Sequence, residues 1–584
     1  MTIDNNTILI VGAGPTGLTM AAELTRHGIP CRIIDKKPGI TDKTKALILQ
    51  SRTMEIFEDM GLIKEVLDTG HLVSGFSFYA EGKRIAQVSS GELDTPYPYI
   101  MLYPQSDTES SLENHLNSLG LEVEWNTQII ELQQDNEELK VELQHSNGEI
   151  EAIEPKYLIA CDGGRSFCRK AIGAKLDGET FESEFLLADL ELEWSNPPAE
   201  DEWHGYFTDQ GLVLIASLKE EGMWRIMIEV PWDMQEKSIS SEANSEEPTL
   251  DELKEMVDIL NPIPNLKLHK PKWISRFRIH RRIIERFRYD NIFFAGDAAH
   301  LHSPAGGQGM NSGIQDAYNL AWKLALVYRG LAKPKLLDSY NTERYPLLKE
   351  QVETTDAGFK MMLLRNPVSR KIRNRLVSLL LELEPIQQRM DKRSAMLTIN
   401  YRNSPIVDEH RELPLLTGKP IKEIAEFKQW RDFGEAAHAG ERAPDITFNS
   451  KGVEKRLFEI LRGTTHKLLI FTGNYSDPDF ERTFKQKHNL VKQKYGNLID
   501  TVVVTMKSEF PFETDGQVLL VHDDEGELHR RYGASEHSLY LIRPDGYIGY
   551  RSQPAKLERF LEYCDGIFLQ NIATKQQMSP AFAS

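Results

Sequence analysis

The 584 residues predict an α/β fold: a Rossmann-like nucleotide-binding domain, an antiparallel β-sheet domain set into it, and a further α/β domain toward the C-terminal end. Three observations carry this prediction. A Gly-rich turn joins a strand to a helix near the N-terminus, a second strand–turn–helix with an acid in its turn follows at residue 296, and the stretch between them breaks into short alternating runs.

The first element is an apolar strand over residues 7–11, then Gly12-Ala13-Gly14-Pro15-Thr16-Gly17, then a helix that turns Leu18, Ala21, Ala22 and Leu24 inward and ends at Gly28. A strand over 31–35 closes on Asp35, 18 residues after Gly17 (35 minus 17). Glycines in such a turn allow a tight bend and the close approach of a pyrophosphate to the backbone, and an acid closing the second strand stands where a ribose hydroxyl would bind. In the second element, residues 291–295 read as a buried strand and Gly296-Asp297 as a turn. A helix from Gly309 onward carries Ile314, Ala317, Leu320, Ala321 and Leu324 at helical spacing. Asp297 can accept hydrogen bonds from a ribitol or ribose hydroxyl, and the free N–H groups where the helix opens suit an electron-rich carbonyl or an anion. That combination suits a flavin. A third strand over 157–160 ends in Asp162-Gly163, with Arg165 and Ser166 opening the next helix.

These three motifs in this order resemble the class A FAD-dependent aromatic hydroxylases, the group of p-hydroxybenzoate hydroxylase, phenol hydroxylase and the polyketide hydroxylases. The similarity runs from residue 7 to residue 346 and includes Asp338-Ser339-Tyr340-Asn341-Thr342-Glu343-Arg344-Tyr345-Pro346. The resemblance implies FAD as cofactor and NADPH or NADH as co-substrate. It places Gly12, Gly14, Pro15, Thr16 and Gly17 on the FAD pyrophosphate, Asp35 and Lys36 at the ribose end, and Gly296, Asp297 and Ala298 at the ribitol. Asp162 and Gly163 would serve both FAD and the pyridine nucleotide. Pro304 would lie beside the reactive face of the flavin, with backbone N–H groups of Gly307, Gly309, Met310 and Asn311 toward its pyrimidine edge. Tyr103-Pro104-Gln105 matches the family segment whose glutamine reaches the FAD, and Lys45-Ala46-Leu47 falls where the family has Arg-Ala-Leu. Lysine keeps the charge there but loses the planar fork. Arg52-Thr53 fits the family's helix start, or else Arg52 is a surface ion pair.

The reaction implied by the resemblance is hydroxylation of an aromatic or polycyclic phenolic substrate with O2, through a flavin C4a-hydroperoxide. Two alternatives stand beside it: the same scaffold with other chemistry, such as epoxidation, Baeyer–Villiger oxidation, halogenation or reduction, and a non-catalytic flavin-binding assembly protein. The Trp-x-Trp-x-Ile-Pro segment of the halogenases does not occur. In phenol hydroxylase an aspartate stands where this chain has Leu47, so that base is missing. Tyr97, Tyr99, Tyr103, His204 and Arg225 are the remaining polar candidates for lining a substrate site.

Short alternating runs over 185–194, 205–207, 211–218 and 224–230 signal an antiparallel sheet with one buried face, and 73–79 with 84–88 adds a hairpin. Residues 234–248, rich in Ser and Glu, read as a solvated loop. Near the C-terminus, strands over 467–471 and 499–505, a helix over 479–488, a hairpin over 538–551 and a helix over 557–564 resemble the thioredoxin-like domain of phenol hydroxylase. It has no Cys-x-x-Cys pair for disulfide chemistry, so it reads as a structural or interfacial module. The expected domains are FAD-binding at 1–72, 99–180 and 285–400, substrate-binding at 73–98 and 181–284, a linker at 401–440, thioredoxin-like at 441–572, and a disordered tail at 573–584.

Composition narrows the class further. A net charge of -19 argues against nucleic acid, no apolar run approaches the ~20 residues of a membrane span, and the first residues lack the character of a signal peptide, which together suggest a cytoplasmic enzyme. Cys31, Cys161, Cys168 and Cys564 show no metal or redox spacing, and His300 with His302 suits loop hydrogen bonding better than a metal pair. A homodimer would give the C-terminal module a role.

Overall fold

The computed structural model describes residues 7–41, 46–89, 93–135, 138–231, 234, 248–301, 307–364, 366–381, 383–412, 431–473, 488–507 and 518–570, with backbone alone at 180–182 and 354–359. Lys45, His302, Pro304, most of the expected 234–248 loop and 479–488 helix, and the 573–584 tail lie outside the described residues. The chain forms two compact units, Met1–Ala321 with Arg344–Thr398, and Trp322–Glu343 with Ile399–Ser584.

The first unit is organised by a six-stranded sheet in the order Arg288–Tyr289, Ile292–Phe294, Tyr157–Ala160, Ile8–Val11, Cys31–Asp35, Glu124–Trp125. Its four central strands are parallel, with Ile8 opposite both Tyr157 and Cys31, and Leu158 opposite Ile292. They are the four apolar runs of the sequence, and Ile8, Leu9, Ile10, Leu158, Ile159, Ile292 and Phe293 are fully buried. Continuous apolar strands of this kind belong to a parallel sheet covered on both faces. The register has a functional consequence. The turns after Val11, Ala160 and Phe294 all leave the same edge, the carboxyl ends of adjacent strands, where open α/β sheets bind ligands.

An eight-stranded sheet follows in the order His300–Leu301, Lys267–Ile284, Leu176–Glu193, Met223–Glu229, Leu212–Ser217, Glu202–Phe207, Gly75–Ala80, Lys83–Ser89. The expected hairpin closes through Glu81 and Gly82, both at positive φ (51° and 72°), as a tight turn between twisted strands requires. It joins the sheet through a parallel pairing of Gly75–Ala80 with Glu202–Phe207, so the sheet is not wholly antiparallel. Alternation sorts the side chains. Leu186, Leu190, Trp224, Ile226 and Ile228 pack with Leu253, Met256 and Val257 of the helix Leu250–Leu260. Leu187, Asp189, Arg225 and Met227, displaced by one residue, take the other face. A meander of Gln128–Asp135, Glu138–Gln144 and Ile150–Ile153 lies between motifs and is not foreseen in the sequence reading.

The second unit has its own six-stranded sheet, Asp408–Arg411, Ile548–Gln553, Ser538–Ile542, His466–Phe471, Ile499–Thr505, Val518–His522. His466–Phe471, Ile499–Thr505 and Val518–His522 are parallel, Ser538–Ile542 runs against them, and the helix Leu557–Ile567 closes the unit. The strands and final helix expected here are present, while Val518–His522 is additional. Residues 401–412, expected as linker, contribute the edge strand Asp408–Arg411, which pairs in parallel with Ile548–Gln553. Residues 322–343, expected with the first domain, belong to this unit. All four cysteines are free and buried. Among the described residues no helix is long and apolar enough to cross a membrane.

Candidate functional site

The Gly-rich turn is shaped by what its glycines exclude. A Cβ on Gly12, whose φ is +104°, would stand 2.4 Å from the Cys161 carbonyl oxygen, and one on Gly17 would stand 1.9 Å from the Gly12 oxygen. Those two positions are fixed by backbone packing. Gly14 has open space beyond it and caps the helix Pro15–Arg26 without any side-chain hydrogen bond, so the first amides of that helix face outward and suit an anion. Asp35 braces the turn: one carboxylate oxygen accepts from the Ala13 N–H at 2.8 Å and the other from the Lys37 N–H at 2.9 Å. Each oxygen keeps a further lone pair for a ribose hydroxyl. Lys36 beside it is exposed.

Asp162 divides its carboxylate. One oxygen accepts from the Phe167 and Cys168 amides at 2.7 and 3.1 Å and caps the helix Phe167–Ala171, together with Ser166. The other oxygen is buried without a partner, and Gly163, at φ +77°, has open space beyond it. An unpaired buried acceptor beside an open backbone is what a hydroxyl-bearing ligand would satisfy.

The Gly296 turn is held by residues the sequence reading did not connect. Asp316 on the helix Gly309–Tyr328 accepts from the Gly296 N–H at 3.0 Å, from His300 Nε2 at 2.6 Å and from Arg344 Nε at 2.7 Å. The side chains of Asp316, His300 and Arg344 are fully buried. Burial pushes the Asp316 carboxyl up, but the Arg344 guanidinium, His300 and the Gly296 N–H together hold it below the usual carboxylate range. Gly296, at φ +60°, and Gly313 both close on Thr16, where an added Cβ would stand 2.5 and 2.2 Å from its hydroxyl. Three elements thus meet on one threonine. Within the turn, Gly296 and Ala298 are buried while Asp297 between them is exposed. If Asp297 accepts from a cofactor hydroxyl that is buried once the cofactor is bound, Asp297→Ala should strand that hydroxyl and lose about 1–3 kcal/mol of cofactor binding. Unchanged flavin retention in the purified variant would exclude that contact.

Among the described residues, the Ser312 N–H at the start of the helix Gly309–Tyr328 donates back to the Gln308 carbonyl at 2.8 Å. Gly309 and Met310 are half-buried. The Asn311 side chain is spent elsewhere: its oxygen accepts from the Gln50 N–H at 2.9 Å, and its amide donates to the Ile48 and Gly307 carbonyls at 2.8 and 2.6 Å. Only the Asn311 backbone remains for a ligand. Ala46 and Leu47 are tied to the opposite segment by the Gln105 and Tyr103 N–H groups at 3.0 and 2.6 Å, and the Gln105 side chain donates to Glu109 at 2.8 Å. Arg52 is no surface residue but a buried partner of Glu55 at 2.7 Å.

The sheet face opposite the Leu250–Leu260 helix is aromatic. Phe76, Phe78 and Phe207 stack in sequence at 6.4 and 5.9 Å, Trp203 lies 6.2 Å from Phe76, and Gly205 leaves room where a Cβ would stand 2.9 Å from the Phe78 ring. Trp203 and Phe76 pack with Leu47 and Ile48, the segment clamped by Asn311, and Trp203 Nε1 is buried without a partner. Of the polar candidates, Arg225 reaches this face but is bound by both oxygens of Asp189 at 2.7 Å. His204 is turned to the opposite face beside Tyr79, and burial pushes its imidazole down. The Tyr103 hydroxyl is engaged by Ser111 at 2.6 Å, while Tyr97 is buried against Tyr99.

A parallel sheet whose three turns leave one edge, in the same unit as a sheet with an aromatic face, is an architecture suited to a flavoprotein oxygenase. Residues 5–355 match the family described as FAD binding domain, and the chain belongs to this family of FAD-dependent monooxygenases. It is 30% identical over 550 residues to the pentachlorophenol 4-monooxygenase of Sphingobium chlorophenolicum, covering 93% of each chain. It is also 30% identical to the 6-methylpretetramide 4-monooxygenase of Streptomyces rimosus, over 94% of this chain and 91% of that one. Among solved structures, CabE, an aromatic hydroxylase from angucycline biosynthesis, superposes with a TM-score of 0.72 at 25% identity over 95% of this chain and 98% of that one.

Proposed function

We propose that the chain hydroxylates an aromatic or polycyclic phenolic compound, using NADPH or NADH and O2. The observation that carries the reading is the convergence of the Gly12, Asp162 and Gly296 turns on one sheet edge, with the Trp203–Phe207 aromatic face packed on the Leu47–Ile48 segment. Gly12, Gly14, Pro15, Thr16 and Gly17 would hold the FAD pyrophosphate, Asp35 a ribose hydroxyl, and Asp162, Gly163 and Asp297 the remaining hydroxyls. The amides of Gly309, Met310 and Asn311 would take the electron-rich edge of the ring. FAD, when bound, supplies the redox chemistry that accepts hydride and activates O2. The chain's own part is to orient the substrate ring between apolar walls, to exclude water, and to offer the Trp203 N–H to a substrate oxygen.

The parallel strands His466–Phe471 and Ile499–Thr505 beside the antiparallel strands Ser538–Ile542 and Ile548–Gln553 support reading the second unit as thioredoxin-like, without paired cysteines, and a structural role suits it. A cytoplasmic location and a homodimer complete the reading. The test is to purify the chain with its flavin and follow NADPH oxidation under air against a panel of phenols and polycyclic phenolics. Oxidation should rise with the right compound, and the product should carry one oxygen atom from O2. A flavin-loaded enzyme whose NADPH consumption no aromatic compound raises would sink the proposal.

A further inference from the structure

The strand Glu202–Phe207 sets Trp203, Gly205 and Phe207 on the aromatic face, two residues apart. Its neighbours continue the rows: Trp203 stands opposite Phe76 and Ala216, Gly205 opposite Phe78 and Leu214, and Phe207 opposite Ala80 and Leu212. The Phe76 and Phe78 rings are inclined by 11° to each other and the Phe78 and Phe207 rings by 12°, so the three form a flat run along the strands. Phe76, Phe78 and Leu214 are only half-buried. A flat apolar floor with open area suits a planar ring system. From Trp203 to Phe207 is four residues (207 minus 203), about 13 Å at about 3.3 Å per residue, a span for fused rings rather than for one.

The two ends of this floor are unlike. At one, Trp203 Nε1 is a buried donor without an acceptor. At the other, Met362 and Leu363 pack on Phe207 and Leu212, and Arg373 of the helix Pro367–Leu381 lays its guanidinium 4.1 Å from the centre of the Phe207 ring. Arg373 is 4% exposed, and among the described residues no carboxylate pairs with it. Its Nε and Nη2 both donate to the Asn374 side-chain oxygen, at 3.0 and 2.9 Å, and its Nη1 donates to the Met362 carbonyl at 2.7 Å. A guanidinium carries five N–H groups, so one on each terminal nitrogen is left over, and such a pair matches the two oxygens of a carboxylate. Glu229, the anion whose field reaches Arg373, accepts instead from the Ser183 hydroxyl at 3.0 Å and the Leu212 N–H at 3.3 Å. Burial, with the like charge of Arg370, pushes the Arg373 guanidinium down to about 10, so it stays charged at neutral pH. Arg225 on the same face is the contrast, since Asp189 takes it with both oxygens. A buried cation without a counter-charge is costly, and a ligand anion would remove that cost.

We propose that Arg373 receives the carboxylate of an elongated, acidic polycyclic substrate that lies along this face with an oxygen of its far ring at Trp203. The inference rests on the aromatic face being the substrate's place, as proposed above, and adds the charge and length of what binds there. A chain of net charge -19 disfavours anions in general, so selection of one reports a local cation. The flavin-loaded full chain is titrated by calorimetry with a hydroxyanthracene carboxylate, its hydroxyl and carboxyl on opposite terminal rings, and with the matching carboxamide, which has the same shape and no charge. The wild type should bind the carboxylate on the order of tenfold or more tightly than the carboxamide. Arg373→Met should remove that preference and leave the carboxamide affinity as it was, and Arg373→Lys should restore part of it. Loss of packing alone would weaken both compounds equally, so the ratio separates a binding role from a structural one. Flavin content and melting temperature report the fold; should Arg373→Met lose either, Arg373→Gln, which keeps a donor for the Met362 carbonyl, decides. Equal binding of the two compounds by the wild type, or a preference for the carboxylate that survives in the neutral variant, would overturn this inference and leave the proposed hydroxylation standing. Binding of neither would overturn it together with the aromatic face as the substrate's place.

Discussion

Replacing Asp316 by leucine is expected to destabilise the first unit by about 3–5 kcal/mol, because the substitution leaves a fully buried Arg344 without its counter-charge. The same change removes the acceptor of the Gly296 N–H and of His300 Nε2, so the turn that presents Asp297 loosens and flavin content should fall with stability. Asp316→Asn keeps the volume and one acceptor, and a smaller loss is expected. Acid separates the two variants further. The folded carboxyl is held below its ordinary value, so its contribution is present above the unfolded pKa of about 3.9 and is lost as pH falls from there toward the folded value. The asparagine variant has no such group at position 316 and should lack that part of the acid slope. Thermal unfolding followed by flavin fluorescence measures both effects. A leucine variant that keeps its flavin and its melting temperature would show the cluster to be dispensable.

Why Asp316 escapes the sequence reading is instructive. Its partners lie 20, 16 and 28 residues away, and no local pattern links a helix position to the amide of a turn upstream. The available signal is a charged residue inside a stripe otherwise formed by Ile314, Ala317, Leu320 and Ala321, where burial of a charge demands a partner. The four central strands were legible because each is a bounded apolar run followed by a Gly-containing turn. Their order in the sheet is not in the sequence pattern and comes from the structure. Glycines at 12, 17 and 296 were legible for the same reason as the strands. Asn311 is read as serving the flavin edge through its backbone N–H, and the separate work of its side chain, tied to the Ile48 and Gln50 backbone, leaves no local trace in the sequence. Residues 401–412 read as linker because Asp408–Arg411 is polar throughout; an edge strand takes its stability from backbone pairing, which leaves no apolar trace.

The second unit carries the other large expected effect. Lys323, Glu343, Arg543 and Asp545 form a buried group of two cations and two anions, with Lys323 Nζ 2.7 Å from Glu343 and Arg543 reaching both Glu343 oxygens at 2.7 and 3.0 Å. Arg543 Nε also donates to Asp545 at 2.9 Å, and Trp322 Nε1 donates to the same carboxylate at 3.1 Å. Burial pushes the Lys323 ammonium down to about 8, with Glu343 offsetting part of that cost. Burial likewise raises the Glu343 carboxyl, yet Arg543 and Lys323 hold it well below the carboxylate range. The two partners are therefore unequal. Lys323→Met leaves Glu343 bidentate on Arg543 and should cost little. It should also remove a pH dependence, since the unfolded lysine binds a proton that the folded one has shed between about 8 and 10.4, so wild-type stability gains in that window. Glu343→Gln leaves two buried cations facing a neutral amide and should cost about 3–5 kcal/mol. A chain of two units need not unfold in one step, so the loss is best read locally, as faster hydrogen exchange in the Ser538–Ile542 strand with exchange in Ile8–Val11 unchanged. Equal protection of Ser538–Ile542 in the Glu343→Gln variant and the wild type would mean that the four charges do not hold this unit together.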